Sequence, residues 1–488
     1  MKIKTHHINI LSILIVAVFL VVSYFSLFYN LGKSDMQLWD ESSYALNALE
    51  MEERGTPFRM YLLGIPELYN TKPPLSIWCM AVSIKVFGFT ECAIRLPSAF
   101  CAFLAAFLLF LLLKKYTTNY WMALFAPLIL LSSNGFINFH EARSGDTDAM
   151  LAWWILCYCV GFFLYTQAQH DTHKNRWLLA TCIGVTLACF TKGIAGLTAL
   201  PGLFLWAVYT YSFKSIITNK YFYLGILIFI IIVPGYYVLR NYLTPGYIDT
   251  VLHYEFRGRI DRQEFLNPEP LSFYYYYDQF IAESRLYVWI WLLPLAIIAI
   301  LVSKTSQLRM LGLFFVIALV GVSISLGLSS TKLFWYDAPM YPLIAGVIAS
   351  GIILISETLA THFKWIVATV FTVFFLIPFQ KIIARNASDT QISYFREAIF
   401  DIRNNIGFKD TLYVAEVDIN FPIYFYLKQD SLNGYIGRVY SPHDSIFKPG
   451  VYFATCKYAR EVDMSYRFTL DTIYHKKNCA FYRIRNYK

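Results

Sequence analysis

Charge is what this sequence has least of. Only 15% of its 488 residues are Asp, Glu, Lys or Arg, where a soluble domain carries about 25%. The deficit is concentrated in long charge-free stretches, which excludes a soluble globular protein. No CxxC pair or Cys/His cluster marks a structural metal. Seven of the nine cysteines precede residue 190, in or beside apolar segments, where they read as packing residues. There is no glycine-rich loop to cradle a nucleotide's phosphates, no internal repeat and no low-complexity segment. The net charge of +9 forms no basic stripe. Lys and Arg lie mostly at the ends of apolar segments and in the tail, so nucleic acid is not an expected partner.

What is present is apolar length: 57% of residues are hydrophobic and 18% aromatic. About 20 mostly apolar residues cross the roughly 30 Å of membrane hydrocarbon. Residues 8–29, 96–113, 149–169, 193–213, 221–239, 286–303, 310–331 and 338–356 meet that length. Residues 119–133, 177–191 and 365–380 are shorter spans, giving about eleven. Residues 73–84 are too short to cross and are expected in or re-entering the membrane. The first stretch is longer than a secretory signal core and lacks a small-residue cleavage site, so it reads as a retained helix.

Short basic loops stay in the cytoplasm. With Lys2 and Lys4 inside, alternation puts Lys114 with Lys115, Lys174 with Arg176, Lys214 with Lys220, Lys304 with Arg309, and Lys364 inside as well. The long loops 30–95, 134–148 and 240–285, the short one 332–337 and everything after about 380 then face outward. Loop 30–72 carries seven acidic residues against four basic, unlike a cytoplasmic loop. Within it, 42–53 reads as an amphipathic helix lying at the interface. From 381 onward charges return and apolar residues come in short runs. Segments 411–419, 421–427, 451–455 and 480–484 read as strands and 392–404 as a helix, so a bundle over 1–380 precedes a small α/β domain over 381–488. Cys456 and Cys479 could pair outside the cell or stay as two buried thiols.

Ionisable residues beside membrane segments are candidates for function, and the outward loops hold six groups of them. Asp40 and Glu41 could orient an acceptor and take its proton, or Asp40 could cap a helix; Tyr44 follows one turn later. Lys72 precedes Pro73 and Pro74, which fix its backbone. It could hold a phosphate as a point charge or reach toward headgroups. Arg95, in Arg-Leu-Pro-Ser, could bind phosphate or anchor its helix. Glu141, Arg143, Asp146 and Asp148 open a span. The Asp146-Thr147-Asp148 triplet resembles the DxD that binds metal and nucleotide sugar in soluble transferases. An outward loop excludes that use, because nucleotide sugars are cytoplasmic. Asp148 reads instead as a second acid in an outward cavity, or as a cap. Lys332 and Tyr336 pair a cation with a phenol. Arg257 and Arg259 could clamp a phosphate or brace their loop, and His253 beside them reads as structural.

Taken in order, Asp-Glu-x-x-Tyr after the first span, Lys-Pro-Pro, Arg-Leu-Pro-Ser, an Arg…Asp loop opening a span and Lys-Leu-x-x-Tyr-x-x-Pro resemble one family over roughly residues 1–350. It is the bacterial branch of the protein O-mannosyltransferase superfamily, which includes the aminoarabinose transferases that modify lipid A. The resemblance implies a GT-C fold, a multi-span helical bundle with interfacial helices in the first outer loop. It implies a glycosyltransferase using a polyprenyl-phosphate-linked sugar at the outer face of the cytoplasmic membrane, transferring to lipid A, another glycan or protein with inversion. By motif position Asp40 matches the catalytic carboxylate and Lys72 the lysine at the carrier phosphate. Asp148 matches the second acid, Arg95 the Arg-Leu-Pro arginine, and Lys332 with Tyr336 the late cavity residues. Thr71 departs from the pattern, since many relatives are acidic there. No cofactor is expected; the sugar, the acceptor and any divalent metal are left open.

Two rival functions follow from the same residues. A transporter or flippase for a lipid-linked sugar would share the cavity and cations, but transporters show repeated halves and broken helices near the midplane, which this sequence lacks. A membrane scaffold working through its tail would explain the bundle but not paired acids and cations on one face.

Overall fold

A computed structural model describes residues 10–117, 119–138, 140–257, 272–282, 285–304, 306–359, 361–388, 394–416, 420–476 and 479–488. The structure is a helical bundle followed by a small domain built on a sheet. Each of the eleven apolar stretches falls on a helix. Seven helices are long and apolar enough to cross a membrane: Glu91–Tyr116, Asp148–Gln167, Asp171–Leu197, Lys220–Leu243, Gln307–Leu328, Met340–Thr358 and Trp365–Ser388. Ser12–Phe28, Met122–Leu131, Leu200–Tyr209 and Trp289–Val302 are shorter apolar helices, and so is Leu75–Phe87, which covers the segment expected in or re-entering the membrane.

The apolar stretches form helices because only intrasegment hydrogen bonding satisfies the backbone in lipid. Their starts are set locally. The Thr90 side chain accepts from Ala93 N at 3.2 Å and opens Glu91–Tyr116; the Ser306 hydroxyl does the same for Arg309 N at 3.1 Å. Burial sorts the helices into inner and outer. The apolar window of Met340–Thr358 is 83% buried, whereas those of Lys220–Leu243 and Trp365–Ser388 are 17% and 22% buried and form the lipid-facing rim. Small residues let inner helices touch backbone to backbone: a Cβ on Gly321 would come within 2.1 Å of Gly202 N.

In the first outer loop the amphipathic segment is the helix Asp40–Arg54. Tyr44, Ala45, Leu46, Ala48, Leu49 and Met51 on it are buried in a core shared with Leu75–Phe87 and with Phe425, Tyr426 and Leu427 of the C-terminal domain. This helix is therefore sandwiched between protein layers rather than laid bare on the membrane surface.

The last bundle helix, Thr361–Ser388, continues past residue 380. The domain after it has a five-stranded sheet in the order Gly437–Tyr440, Leu412–Ala415, Tyr452–Thr455, Cys479–Tyr487, Phe468–Lys476. The first three strands are parallel and the last two antiparallel. Cys456 and Cys479 form a disulfide. The run 421–427, expected as a strand, lies in the helix Phe421–Leu432. Pro422 sits in its first turn, where proline is pre-organised for helix. Ile423, Phe425, Tyr426, Leu427 and Asp430 are buried, a period that packs one helical face. Strands Gly437–Tyr440 and Phe468–Lys476 and helix Tyr458–Arg467 were not read from the sequence. The part of 411–419 beyond residue 416 lies outside the described residues.

The domain grips the first outer loop. Arg396 pairs with Glu91 at 2.8 Å and Lys428 with Glu53 at 3.2 Å. Met36 N donates to Tyr426 Oη at 3.0 Å, and the Phe425 ring lies 4.4 Å from that of Phe89.

Candidate active site

Alternation of the helices brings one terminus of each span to one end of the bundle. Among these are the starts of Glu91–Tyr116, Asp148–Gln167, Trp289–Val302 and Met340–Thr358, and the ends of Asp171–Lys192, Lys220–Leu243 and Gln307–Leu328. The candidate residues belong to this end.

Asp40 is the first residue of its helix, and the cap position is Trp39, whose side chain makes no capping bond. The cap reading of Asp40 is thus replaced, and so is that of Asp148, which follows Thr147 at the cap position. Trp39 has φ 69°, a left-handed backbone that costs a non-glycine residue about 1–3 kcal/mol. His140, across the site, is left-handed as well at φ 63°. The strained pair sits where Asp40 and His140 meet. Among the described residues the Asp40 carboxylate has no hydrogen-bond or ion-pair partner; Asp146, Lys72, Lys192 and His140 are the charged groups that bear on it. Burial, and then the nearby Asp146, raise its pKa above the usual carboxylate value.

Glu41 points the other way, into a fully buried lock. Arg95 Nε donates to its Oε1 at 2.7 Å and Nη2 to its Oε2 at 2.9 Å. Gly145 N adds a bond to Oε1 at 2.8 Å and Gln37 N one to Oε2 at 2.8 Å. Burial favours the protonated acid, but the arginine and the backbone donors outweigh it and lower the Glu41 pKa. The other guanidinium protons reach the carbonyls of Leu31, Ser34 and Asp35. Arg95 is therefore a brace for the first outer loop and not a phosphate ligand, and Glu41 is its counter-ion and not an available base. Gly145 is required here: a Cβ would lie 2.4 Å from Ile94 Cγ2.

Lys72 is held through its own backbone. The fully buried Arg240 donates to Lys72 O at 3.4 Å and to Glu67 O at 3.1 Å, backed by the Tyr236 and Tyr247 hydroxyls. The Lys72 ammonium lies 5.9 Å from the centre of the Tyr44 ring and has no carboxylate partner among the described residues. Thr71 donates to Glu255 Oε1 at 2.7 Å, so a carboxylate from the long outer loop reaches the residue before Lys72.

Asp148 pairs with Lys192, whose Nζ lies 2.7 and 2.5 Å from its two oxygens. Lys192 also sits 4.9 Å from the Tyr336 ring centre. Asp148, Lys192, Glu255 and Tyr336 line one cavity of about 540 Å³. Beside it runs a groove of about 410 Å³ walled by apolar side chains of Asp171–Lys192, Leu200–Tyr209 and Lys220–Leu243, and Leu197 belongs to both.

The remaining candidates divide. Asp146 accepts from Thr147 N and meets His140 Nδ1 at 2.6 Å; burial would raise its pKa, but the His140 bond and nearby cations hold it low. Glu141 is wholly buried, with both oxygens unpartnered among the described residues. Burial, then Asp148 and Asp337, push its pKa well up. Lys332 is buried and donates to Ser329 O at 2.5 Å. Arg143, expected in the cavity, donates to Leu27 O at 2.9 Å and fastens the end of the first helix. Arg257 ends the turn Leu252–Arg257; its side chain and all of Arg259 lie outside the described residues.

Sequence reading missed Lys192, His140, Glu255 and the Arg285–Asp337 pair at 3.0 Å. Lys192 was one residue beyond an apolar run ending at 191, and a lysine closing a span at the acidic end is the signal that could have found it. His140 and Glu255 carry no local signal, because only the fold brings them in.

A helical membrane bundle with its ionisable cluster at one end and an extramembrane domain closing over that end is the GT-C architecture, and comparison with known proteins agrees. The structure of ArnT from Cupriavidus metallidurans bound to undecaprenyl phosphate superposes with a TM-score of 0.71 at 16% identity, over 96% of this chain and 97% of that one. The Archaeoglobus fulgidus oligosaccharyltransferase gives 0.52 at 11% identity, over 89% and 65%. Residues 71–237 match the family model for dolichyl-phosphate-mannose-protein mannosyltransferase. An undecaprenyl phosphate-alpha-4-amino-4-deoxy-L-arabinose arabinosyl transferase of Photorhabdus laumondii is 27% identical over 336 residues, 68% of this chain and 59% of the relative. An uncharacterised Aquifex aeolicus protein is 27% identical over 248 residues, 51% and 47%. The chain thus spans about half the length of these curated relatives. It is similar to protein mannosyltransferases over residues 71–237 and to an aminoarabinose transferase over 336 residues, and it shares the fold of ArnT.

Proposed function

We propose that this chain is a glycosyltransferase that moves a sugar from a polyprenyl-phosphate carrier to an acceptor at the outer face of the cytoplasmic membrane. The observation that carries this reading is a pairing left incomplete. Glu41, Asp148 and Asp146 are bonded to Arg95, Lys192 and His140 respectively. Asp40 and Lys72, whose charges bear on one another, have neither a counter-ion nor a hydrogen bond to the charged group among the described residues. An unpaired carboxylate and an unpaired ammonium are what a proton-donating acceptor and an anionic leaving group require. The apolar groove meeting the polar cavity at Leu197 suits a donor with a long hydrocarbon chain and a charged head. The likeness to an undecaprenyl phosphate-alpha-4-amino-4-deoxy-L-arabinose arabinosyl transferase supports the same donor class.

In this mechanism the acceptor enters from the aqueous side and Asp40 orients its nucleophilic atom. Where that atom is a hydroxyl oxygen, Asp40 takes its proton as the oxygen attacks the anomeric carbon. The bond from that carbon to the phosphate oxygen breaks, and the electron pair leaves with polyprenyl phosphate. Lys72 meets the charge on that phosphate, an electrostatic stabilisation of the kind that often dominates catalysis. Attack opposite the leaving group inverts the anomeric centre. The sugar is a pentose or hexose derivative, and the acceptor is a lipid A-type glycolipid, another glycan or protein. The N-terminus is cytoplasmic and the C-terminal domain periplasmic.

Purified protein in nanodiscs, given a labelled polyprenyl-phosphate sugar and a membrane glycolipid extract, should release polyprenyl phosphate and label the acceptor. Movement of intact donor across a bilayer without cleavage would instead favour a flippase.

A further inference from the structure

Between the first outer loop and the C-terminal domain lies a cleft of about 1060 Å³, at the upper end of the range for sites that take small organic ligands. Gly32 and Lys33 form its loop wall. The helix Tyr394–Phe400 with the turn Asp401–Asn405, and the helix Phe421–Leu432 with the residues just after it, form the rest. The cleft shares no lining residue with the cavity at Asp148 or with the apolar groove, so it is separate from the space read above as the lipid-linked donor's.

Its charges are almost all paired within the protein. Glu397 and Asp401 pair with Lys476 at 2.7 and 3.2 Å. Asp430 pairs with Arg403 at 3.0 Å, and the other Arg403 donors reach the carbonyls of Phe408, Asp410 and Ile436. Arg396 pairs with Glu91 at 2.8 Å. Lys33 is exposed, and its ammonium has no partner among the described residues. The unpaired charge on the cleft is therefore a single cation.

The neutral lining suits hydroxyl-rich rings. Gln429 Nε2 donates to Phe89 O and Asn404 Nδ2 to Phe400 O, each at 3.0 Å. A carbonyl can only accept, so each amide has one orientation, and its own oxygen is left to accept from a hydroxyl. Asn433 is exposed, with no side-chain hydrogen bond among the described residues. Phe400 is 60% exposed. Tyr435 has the Arg403 guanidinium 4.5 Å from its ring centre, which steadies the ring. The negative face of an aromatic ring attracts the C–H groups on the apolar face of a pyranose. Purely apolar ligands would meet too many polar groups here, and a polyanion too few cations.

We infer that this cleft binds an anionic saccharide, and that the saccharide is the non-reacting part of the acceptor. The second half rests on the transferase reading; the first does not. Placement supports both. Lys33 precedes Asp40 by seven residues, and an extended chain spans at most about 3.6 Å per residue, so Asp40 lies within about 25 Å of the loop wall. Arg95 bonds the carbonyls of Leu31, Ser34 and Asp35 on either side of Lys33. Tyr426, on the opposite wall, accepts from Met36 N at 3.0 Å. The cleft is thus tied to the segment that leads into the Asp40 helix, where binding of remote sugars would help to place the reacting one.

Saturation-transfer NMR on the full chain in nanodiscs tests this with three soluble probes. They are the oligosaccharide phosphate released from envelope glycolipid by complete deacylation, the same oligosaccharide after phosphatase treatment, and inorganic phosphate. The first should bind best, and the second about two- to fivefold more weakly, as for loss of one exposed ion pair. Inorganic phosphate should not bind measurably. Lys33→Gln should abolish the difference between the two oligosaccharides, and Phe400→Ala should weaken both by about two- to tenfold. Both side chains are exposed, so the variants should fold. Tyr466→Ser, at another exposed aromatic that does not line the cleft, should bind as the unaltered protein does. In transfer assays Lys33→Gln and Phe400→Ala should raise KM for the glycan acceptor; an unchanged KM would overturn the acceptor half. No binding of the oligosaccharide phosphate, equal binding of inorganic phosphate, or binding unaltered in both variants would overturn the whole inference, while active transfer would leave the transferase reading standing. Binding with the expected pattern but no transfer would overturn that reading and the acceptor half, and would uphold the saccharide site.

Discussion

Lys192 Nζ lies within 2.7 Å of both oxygens of Asp148, and both residues are buried. Removing one partner of a buried ion pair strands a charge and costs about 3–5 kcal/mol, whereas replacing both can be nearly neutral. Lys192→Met should therefore lower the thermal midpoint sharply, and adding Asp148→Asn should restore most of the loss. Scanning fluorimetry on the two single variants and the double variant tests this. Simple additivity of the two losses would show that the pair is not coupled.

The Glu41–Arg95 lock predicts intolerance at a residue that touches no substrate. Gly145→Ala drives a methyl into Ile94 and displaces the backbone N–H that Glu41 accepts. Arg95→Lys keeps the charge but loses the fork that binds both carboxylate oxygens. Both variants should fall in thermal stability and in transfer together. A variant with full stability and no transfer would return Arg95 to the substrate.

Lys72 separates binding from bracing. Its ammonium has no carboxylate partner among the described residues while its carbonyl is held by Arg240, so Lys72→Met should fold normally. Losing a charge-assisted contact of about 1.5–3 kcal/mol corresponds to roughly a ten- to hundredfold loss of kcat/KM for the carrier. Steady-state kinetics against polyprenyl-phosphate sugar would show it. Unchanged kinetics would mean that the phosphate lies elsewhere.

The C-terminal domain covers Met36, Phe89 and Glu91 at the root of the Asp40 helix. A chain ending at Ser388 should keep its spans but expose Phe89. It should lose the ordered placement of Asp40–Arg54, seen as faster amide exchange across that helix. Exchange equal to that of the full chain would show the domain to be an independent passenger.

These relationships mark what the sequence could convey. The spans were legible because apolar length is a local property, and the one-sided placement of Asp40, Lys72 and Asp148 followed from alternation. Pairing was not legible. Arg95 reads equally as anchor or phosphate ligand until Glu41 is found 54 positions away, and His140 acquires meaning only from Asp146 and Asp40. The run 421–427 was misread because an alternation of aromatic and aliphatic residues favours strand locally, while Pro422 and packing on Phe89 favour helix. Strand Gly437–Tyr440 was missed because it is only partly buried at the sheet edge and shows no apolar alternation.

Asp40→Asn carries the account's central claim. The change is isosteric, and the carboxylate it alters has no hydrogen bond or ion pair to lose among the described residues, so the fold should survive. Single-turnover transfer from labelled polyprenyl-phosphate sugar should fall by about 10²–10⁴-fold, with carrier binding retained. Full transfer by the well-folded Asp40→Asn protein would contradict the assignment of Asp40 as the group that activates the acceptor.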